Sequence, residues 1–524
     1  MSSKSPEDAR TWARIRYAFL LASNPQPYIR QIVTTVPNNN YTVISNSDDI
    51  HDKISDVHRL ATVVSIALEN DAVNRSYRSD DSPNIVPMPT VHQSTQSLTK
   101  GYDPRALIKN YNDRTLPQIN GLSQNSLLSM AYEKKWVGFK DMDGRSCPRV
   151  LLSNATNGMF RSNVKRVRGI PYTGSIKQCR KFREFHGFKR YPEASDEEKN
   201  FPIAFIILFH NNIDQIMFLL RAIYRPHNVY CLTVDEKNDQ AFISYVKNVF
   251  QCLPNVFVAS QLERIVYAGF SRLMADIHCM RDLLKHPVQW KYVINMPGSQ
   301  FPLRTNLELV RILTIQKGSN DIEGVPRPAS VPNRYQLKHD SVRDPASGFI
   351  KVMAVSPRQK NDPPPHNMTI VKGSTYGTFS RAFVHFALHH PIAKEFLEYS
   401  RYFKSPDEYF WATLQHTNLV QVPGGFTGEP GSTRYFTSYS LWDRNGTTTT
   451  CYGKFVHKIC VFSPEDLPNL IKQNFLFANK FFIYSHPAAL HCMDEWLYNR
   501  TVAGIVGDLS NYTNQYLNNT DKLR

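Results

Sequence analysis

From Phe201 onward the chain alternates two apolar patterns. FPIAFIILF, residues 201–209, is the continuous apolar run of a strand buried on both faces, and the IDQIMFLLRAIY that follows has its apolar residues at helical spacing. The alternation repeats: VYCLTV leads into Asp235, QAFISYVKNVFQC is helical, NVFVAS extended, SRLMADIHCMRDLLK helical and WKYVINM extended. TNLELVRIL opens with a capping box, Thr305 to Glu308. Strands and helices of these lengths predict βαβ units with right-handed crossovers, hence an α/β fold whose mostly parallel, Rossmann-like sheet carries helices on both faces. Such sheets bind ligands beyond the carboxyl ends of their strands. That places His210, Asp235 and the segment around Tyr267 beside a crevice.

Elsewhere the patterns are weaker. Residues 1–145, rich in Ser, Asn, Asp and Pro and faintly helical only near Ile54–Leu68, read as a poorly ordered stem or linker. Residues 318–370 are Pro-rich and loop-like, suited to an adaptable rim. KGSTYGTFSRAFVHFALHH predicts a strand and a helix, VPGGFTGEPGSTRYF mostly turns, EDLPNLIKQNFLFA a helix, and 501–524 a C-terminal tail. In KSPDEYFWATL, residues 404–414, Ser405 suits an N-cap, Pro406 the first helical position and Glu408 the capping-box glutamate. No internal repeat is apparent.

With 524 residues, 41% hydrophobic and 12% aromatic, the composition is that of a folded globular protein. The formal charge of +17 is concentrated between Arg145 and Arg190, in VKRVRGI, KQCRKFREF and GFKRY. Such a run suits a solvated basic face, a membrane surface or a phosphate-bearing ligand. The absence of RNA-recognition and zinc-finger signatures argues against a nucleic-acid partner. Eight scattered cysteines without a C-x-x-C pair fit disulfides in an oxidising compartment, with buried free thiols as the alternative. Sequons at Asn40, Asn74, Asn154, Asn367, Asn445, Asn499, Asn511 and Asn518 lean the same way. The first thirty residues offer only the short apolar run YAFLLA, far below the roughly 20 residues of a membrane span.

No GxGxxG follows the first strand, and neither GxxxxGK[ST] nor GxSxG occurs, so dinucleotide, P-loop and serine-hydrolase readings lose their main support. A nucleotide sugar is another ligand for this sheet, commonly held through an Asp-x-Asp pair and a divalent cation. Asp141 and Asp143 form such a triplet but precede the first strand, where they read as linker acids; no metal is implied. A leaving diphosphate would then need basic side chains. Lys454, His457, Lys458 and Lys480 are candidates, and surface lysines with a bystander histidine are the competing reading.

FPIAFIILFHNN, LLRAIYRPHNVYCLTVD, NVFVASQLERIVYAGFSRLMADIHCMRDLL, WKYVINMPGSQFPLRTNLELVR, SPDEYFWATL and FLFANKF occur in an order that resembles the core-2 and I-branching β-1,6-N-acetylglucosaminyltransferases. Peptide O-xylosyltransferases are more distant relatives of that family. The resemblance covers about residues 147–497. It implies a GT-A-type, disulfide-stapled catalytic domain over 146–500, with a nucleotide-sugar half at about 200–316 and an acceptor half at about 317–500. The implied enzyme inverts at the anomeric carbon, takes UDP-N-acetylglucosamine without a metal, and glycosylates a sugar 6-hydroxyl of an O-glycan on a glycoprotein. Glu408 is the implied general base, with Asp407 next in line. Lys480 matches the family's diphosphate-binding lysine, whereas His457 stands where the family has an arginine, which removes a permanent charge and a bidentate fork. His210, Asp235 and Tyr267 are the implied donor-nucleotide contacts, and Glu323, Tyr439 and Trp442 the acceptor contacts. The implied disulfides are Cys147–Cys492, Cys179–Cys252, Cys231–Cys279 and Cys451–Cys460. Golgi residence through an N-terminal membrane anchor is also implied, although no such anchor is visible. Two other readings stay open: a xylosyltransferase acting on peptide serine, and an inactive glycan-binding member, the latter motivated by His457.

Overall fold

The computed structural model describes residues 32–35, 41–44, 136–137, 147–152, 176–325, 331–345, 348–443 and 450–523. The chain divides into two units, Met1–Tyr111 and Asn112–Arg524. In the first, the described residues are an antiparallel pair, β1 (Ile32–Thr35) and β2 (Tyr41–Ile44). The helical periodicity at Ile54–Leu68, the Asp141–Asp143 triplet and the VKRVRGI part of the basic run fall outside the described residues.

The second unit begins with α1 (Cys147–Leu152), α2 (Ile176–Phe185) and α3 (Asp196–Lys199). The alternating region gives β3 (Ile203–Phe209), α4 (Ile213–Ile223), β4 (Val229–Val234), α5 (Gln240–Phe250), β5 (Val256–Val258), α6 (Phe270–Lys285), β6 (Tyr292–Pro297), β7 (Gln300–Pro302) and α7 (Asn306–Gln316). Then come β8 (Asp321–Ile322), α8 (Asn333–Gln336), β9 (His339–Arg343), β10 (Ile350–Ala354), β11 (Gly377–Ser380), α9 (Arg381–His389), α10 (Pro391–Tyr399) and α11 (Phe410–His416). The remainder is β12 (Ser438–Ser440), β13 (Lys454–Val456), β14 (Ile459–Val461), α12 (Leu467–Leu470), β15 (Phe477–Asn479), α13 (Pro487–Val502) and α14 (Ser510–Leu517).

The main sheet runs β5-β4-β3-β6-β11-β8. Its first four strands are parallel, and β11 is antiparallel to both neighbours. The unbroken apolar run of β3 has a direct cause. Phe205, Ile207 and Phe209 face one core with Leu219, Val246 and Leu309 of α4, α5 and α7, while Ala204 and Ile206 face a second with Leu273, Phe383, Phe396 and Trp411 of α6, α9, α10 and α11. Both faces are covered, so neither tolerates polar alternation. A third core lies between α1, α13 and the small sheet β12-β15-β7.

The four disulfides join α1 to α13 (Cys147–Cys492), α2 to the end of α5 (Cys179–Cys252), β4 to α6 (Cys231–Cys279) and the two sides of the β13–β14 hairpin (Cys451–Cys460). Among the described residues no cysteine is free. The sequon Asn499 is buried, its amide donating to Val137 O and Glu495 O, and so offers no glycosylation site.

Three sequence expectations change. The rim predicted over 318–370 contains β8, the short α8 and the antiparallel β9–β10 hairpin. EDLPNLIKQNFLFA keeps only one helical turn, α12, because its last residues enter β15 between β12 and β7, where backbone pairing outweighs helical spacing. Residues 501–523, read as a tail, carry α14 against α7: Tyr512 is buried, and Glu308 receives Arg500 Nη2 at 2.6 Å and Gly507 N at 2.8 Å. Glu308 thus caps α7 at Thr305, as expected, and also ties down the C-terminal segment.

Candidate active site

The carboxyl ends of β3, β4 and β6 converge on one edge. Gly298 N donates to Leu208 O there, and Asp235 N to Phe209 O. His210 follows β3 and Asp235 follows β4, with 3.4 Å between His210 Nδ1 and the Asp235 carboxylate. Burial opposes charge on Asp235. The His210 contact, Lys237 Nζ at 3.4 Å and backbone N–H donation from Lys237 and Ile265 outweigh it and hold the carboxyl below its ordinary range. An ionised, braced hydrogen-bond acceptor therefore stands at this edge of the sheet.

Across the same edge, Phe481 N donates to Ser299 O and Lys480 N to Cys460 O, which brings β15 and the β13–β14 hairpin beside the end of β6. Lys480 is 9% exposed, and burial lowers its pKa. No ion pair among the described residues neutralises it, although its ammonium lies 5.4 Å from the Phe482 ring centroid. A buried cation without a carboxylate is poised for an anionic ligand. His457 and Lys458 form the two-residue loop of the hairpin, with φ of 50° and 63°, so both central residues are left-handed. The exposed His457 ring lies 6.1 Å from that of Tyr267. Tyr267 itself is 84% exposed, leaving a face free for stacking on a base.

Glu408 lies in a 3-10 turn, Pro406–Glu408, and the expected capping box is absent. Ser405 has φ 57° and ψ 58°, a left-handed conformation in place of the extended one a capping residue adopts, and it makes no side-chain cap. Ser405 N donates instead to Ala268 O at 2.7 Å, fastening this turn to the loop that carries Tyr267. Glu408 is held by two cations, Arg334 Nη1 at 2.9 Å and Lys372 Nζ at 3.0 Å, both on Oε2. No hydrogen bond among the described residues engages Oε1. The carboxylate is therefore positioned by these two ion pairs and not by a helix terminus. Its main chain is fixed by Gly373 N at 2.7 Å, and a Cβ on Gly373 would lie 2.0 Å from Glu323 O; only glycine permits this approach.

Beneath Glu408, burial raises Asp407 to about 6, with Arg272 opposing the shift and the Glu408 charge adding to it. Arg272 Nη1 pairs with Asp276 at 2.8 Å, and Asn295 of β6 donates to Asp276 and to Thr375 O while accepting from Gly377 N. A buried polar chain thus connects the central sheet to the turn bearing Glu408.

The three acceptor candidates diverge. Glu323 lies with Glu408: burial raises its pKa, Lys372 lowers it, and the Glu408 charge raises it again. One lysine therefore serves two carboxylates. Tyr439 stacks on Phe462 and packs against Phe475 at the edge of the third core, and Trp442 is 48% exposed beside the hairpin. Sequence reasoning missed Arg334 and Lys372. Arg334 sits in the Pro-rich stretch read as rim, and neither residue carries a local pattern; only the fold brings them to Glu408.

The family model described as Core-2/I-Branching enzyme matches residues 203–471. The chain is 40% identical over 309 residues to an N-acetyllactosaminide beta-1,6-N-acetylglucosaminyl-transferase of Mus musculus, covering 59% of this chain and 75% of that protein. It is 35% identical over 344 residues to beta-1,3-galactosyl-O-glycosyl-glycoprotein beta-1,6-N-acetylglucosaminyltransferase 3 of Homo sapiens, covering 64% and 76%. Among the described residues no helix is long and apolar enough to cross a membrane.

Proposed function

The chain belongs to the Core-2/I-Branching enzyme family, and from that premise we propose that it transfers N-acetylglucosamine from UDP-N-acetylglucosamine, with inversion, to a 6-hydroxyl of an O-glycan. The observation that carries this reading is Glu408, whose Oε1 has no hydrogen bond among the described residues while Arg334 and Lys372 hold Oε2. In the proposed step, the acceptor hydroxyl gives its proton to Glu408 Oε1 as its oxygen bonds to the anomeric carbon. The bond from that carbon to the diphosphate breaks on the opposite side, and the electron pair leaves with UDP. The departing charge meets Lys480, with His457 and Lys458 at the hairpin tip, which are basic side chains in the role a divalent cation plays elsewhere. His210, Asp235 and Tyr267 would hold the nucleoside and Glu323 the acceptor sugar. Four disulfides support an oxidising compartment, and Golgi residence belongs to the same proposal.

The mouse relative, named for N-acetyllactosaminide, favours a second acceptor, the galactose of N-acetyllactosamine chains. UDP release with core-1 O-glycan and with N-acetyllactosamine oligomers, using UDP-N-acetylglucosamine or UDP-xylose, separates the readings. Glu408→Gln should lower kcat by about 10²–10⁴ with the preferred acceptor, as removal of a general base does. Undiminished turnover by that variant would remove Glu408 from the mechanism. Turnover with UDP-xylose alone would replace the donor.

A further inference from the structure

At the far end of the fold lies a second basic site. Ser380, the last residue of β11, pairs with Tyr292, the first of β6, so α9 starts at the amino-terminal edge of the sheet, opposite the edge that carries Glu408 and Lys480. There α6 and α9 enclose a groove of about 710 Å³ lined by Arg281, Lys285, Arg381, His385 and His389 over Leu284, Ala382 and Leu388. No acidic side chain lines it, and none of the five basic residues takes part in an ion pair among the described residues. The acids on α6 and α10 are engaged elsewhere: Asp276 with Arg272, Asp282 with Ser260, Glu395 with His366 and Glu398 with Arg401.

Arg381 is the built part of this site. Its guanidinium lies over the Trp290 ring at 4.7 Å and Nη2 donates to Leu284 O at 3.2 Å, which fixes the plane. Five basic side chains with no acid among them leave unbalanced positive charge along the groove, and an oxyanion with several acceptor oxygens matches it best. The volume suits a sugar-sized molecule. The apolar residues line the groove between the helices and do not crown a projecting surface, as insertion into a lipid bilayer would require.

We propose that the α6–α9 groove binds a phosphate or sulfate ester carried on a sugar, at a site separate from the donor and acceptor cleft. The proposal does not depend on which acceptor the enzyme uses. Its test is calorimetric titration of the intact protein with N-acetylglucosamine 6-sulfate, N-acetylglucosamine 6-phosphate, inorganic sulfate and inorganic phosphate, with co-sedimentation on phosphatidylserine vesicles in parallel. At least one sugar ester should bind more tightly than the matching inorganic ion, and the preferred ester identifies the source. Arg281→Gln combined with Lys285→Gln, both exposed, should weaken that binding about tenfold or more, with UDP-release activity and thermal midpoint unchanged. Arg381→Lys, which keeps the charge but loses the stack on Trp290 and the bond to Leu284 O that hold it at the groove wall, should weaken it as well. Absence of binding by either ester, equal affinity in the double variant, or vesicle binding alone that the double variant abolishes would each overturn the proposal.

Discussion

The two halves of the catalytic unit position functional groups by different means. Between Phe201 and Gln316, each candidate contact is the residue after a strand or in the loop beyond it, aimed by sheet register: His210 after β3, Asp235 after β4. Between Lys317 and Lys480 the groups sit on a 3-10 turn, a hairpin tip and a bent loop. Three non-glycine residues with positive φ, Ser405, His457 and Lys458, occur in the segments that carry these groups. A parallel sheet supplies a rigid edge at no local cost. Glu408, the proposed base, is instead held by backbone conformations that tertiary contacts impose, and by the Arg334 and Lys372 charge pairs.

That contrast is sharpest at Lys480, the cation of the second half that lies against the first. Lys480→Met keeps volume and removes charge, and should lower kcat by about 10²–10³, the usual loss when one group stabilising a leaving charge is deleted. His210→Ala, on the sheet edge, should chiefly raise the donor KM, by about tenfold. Rapid-quench measurement of single turnovers separates the two. Equal effects on kcat would erase the distinction between the halves.

Next in size are the cations on Glu408. Arg334→Met and Lys372→Met each leave one partner on Oε2, and each should lower kcat/KM by about tenfold, the worth of a charge-assisted contact at a half-buried site. The Lys372 variant should lose more at high acceptor dilution, because Glu323 depends on the same ammonium. Identical acceptor KM values for the two variants would show that Glu323 acts alone.

These residues also mark how far pattern reading reaches. FPIAFIILF, VYCLTV and the helices between them were readable because burial on both faces of a parallel sheet leaves no polar positions, and period and length then separate strand from helix. Thr305–Glu308 was readable because a capping box is local. Ser405–Glu408 has the same spelling, yet its geometry is set by Ala268 O and Gly373 N, two contacts more than thirty residues away in sequence. Arg334 and Lys372 have no local signature at all. The motif order pointed to Glu408 and Lys480; what holds them is a property of the tertiary structure.

A smaller effect concerns the buried chain under Glu408. Burial raises Asp407 and Asp321, each to about 6, above the ordinary carboxylic value near 3.9. Between those values the native state binds more protons than the unfolded chain, so stability falls as pH rises: the contribution is complete below about pH 4 and lost by about pH 6 to 7. Each group accounts for on the order of 3 kcal/mol. Asp407→Asn should flatten about half of this slope in urea unfolding followed at pH 4, 5, 6 and 7. Parallel profiles for wild type and variant would mean that Arg272 keeps Asp407 ionised throughout.

The smallest expected change isolates the hairpin tip. His457 and Lys458 occupy left-handed positions where a side chain costs about 1 kcal/mol that glycine does not. His457→Gly and Lys458→Gly should therefore both raise the thermal midpoint by about 1–2 °C. Only His457→Gly removes the ring 6.1 Å from Tyr267, so only it should raise the donor KM, by about threefold, a fraction of a full contact at an exposed site. Equal KM changes in both would assign the effect to the loop backbone. A rise in stability with no KM change in either would leave the imidazole outside the donor site, and charge at the diphosphate would then rest on Lys480.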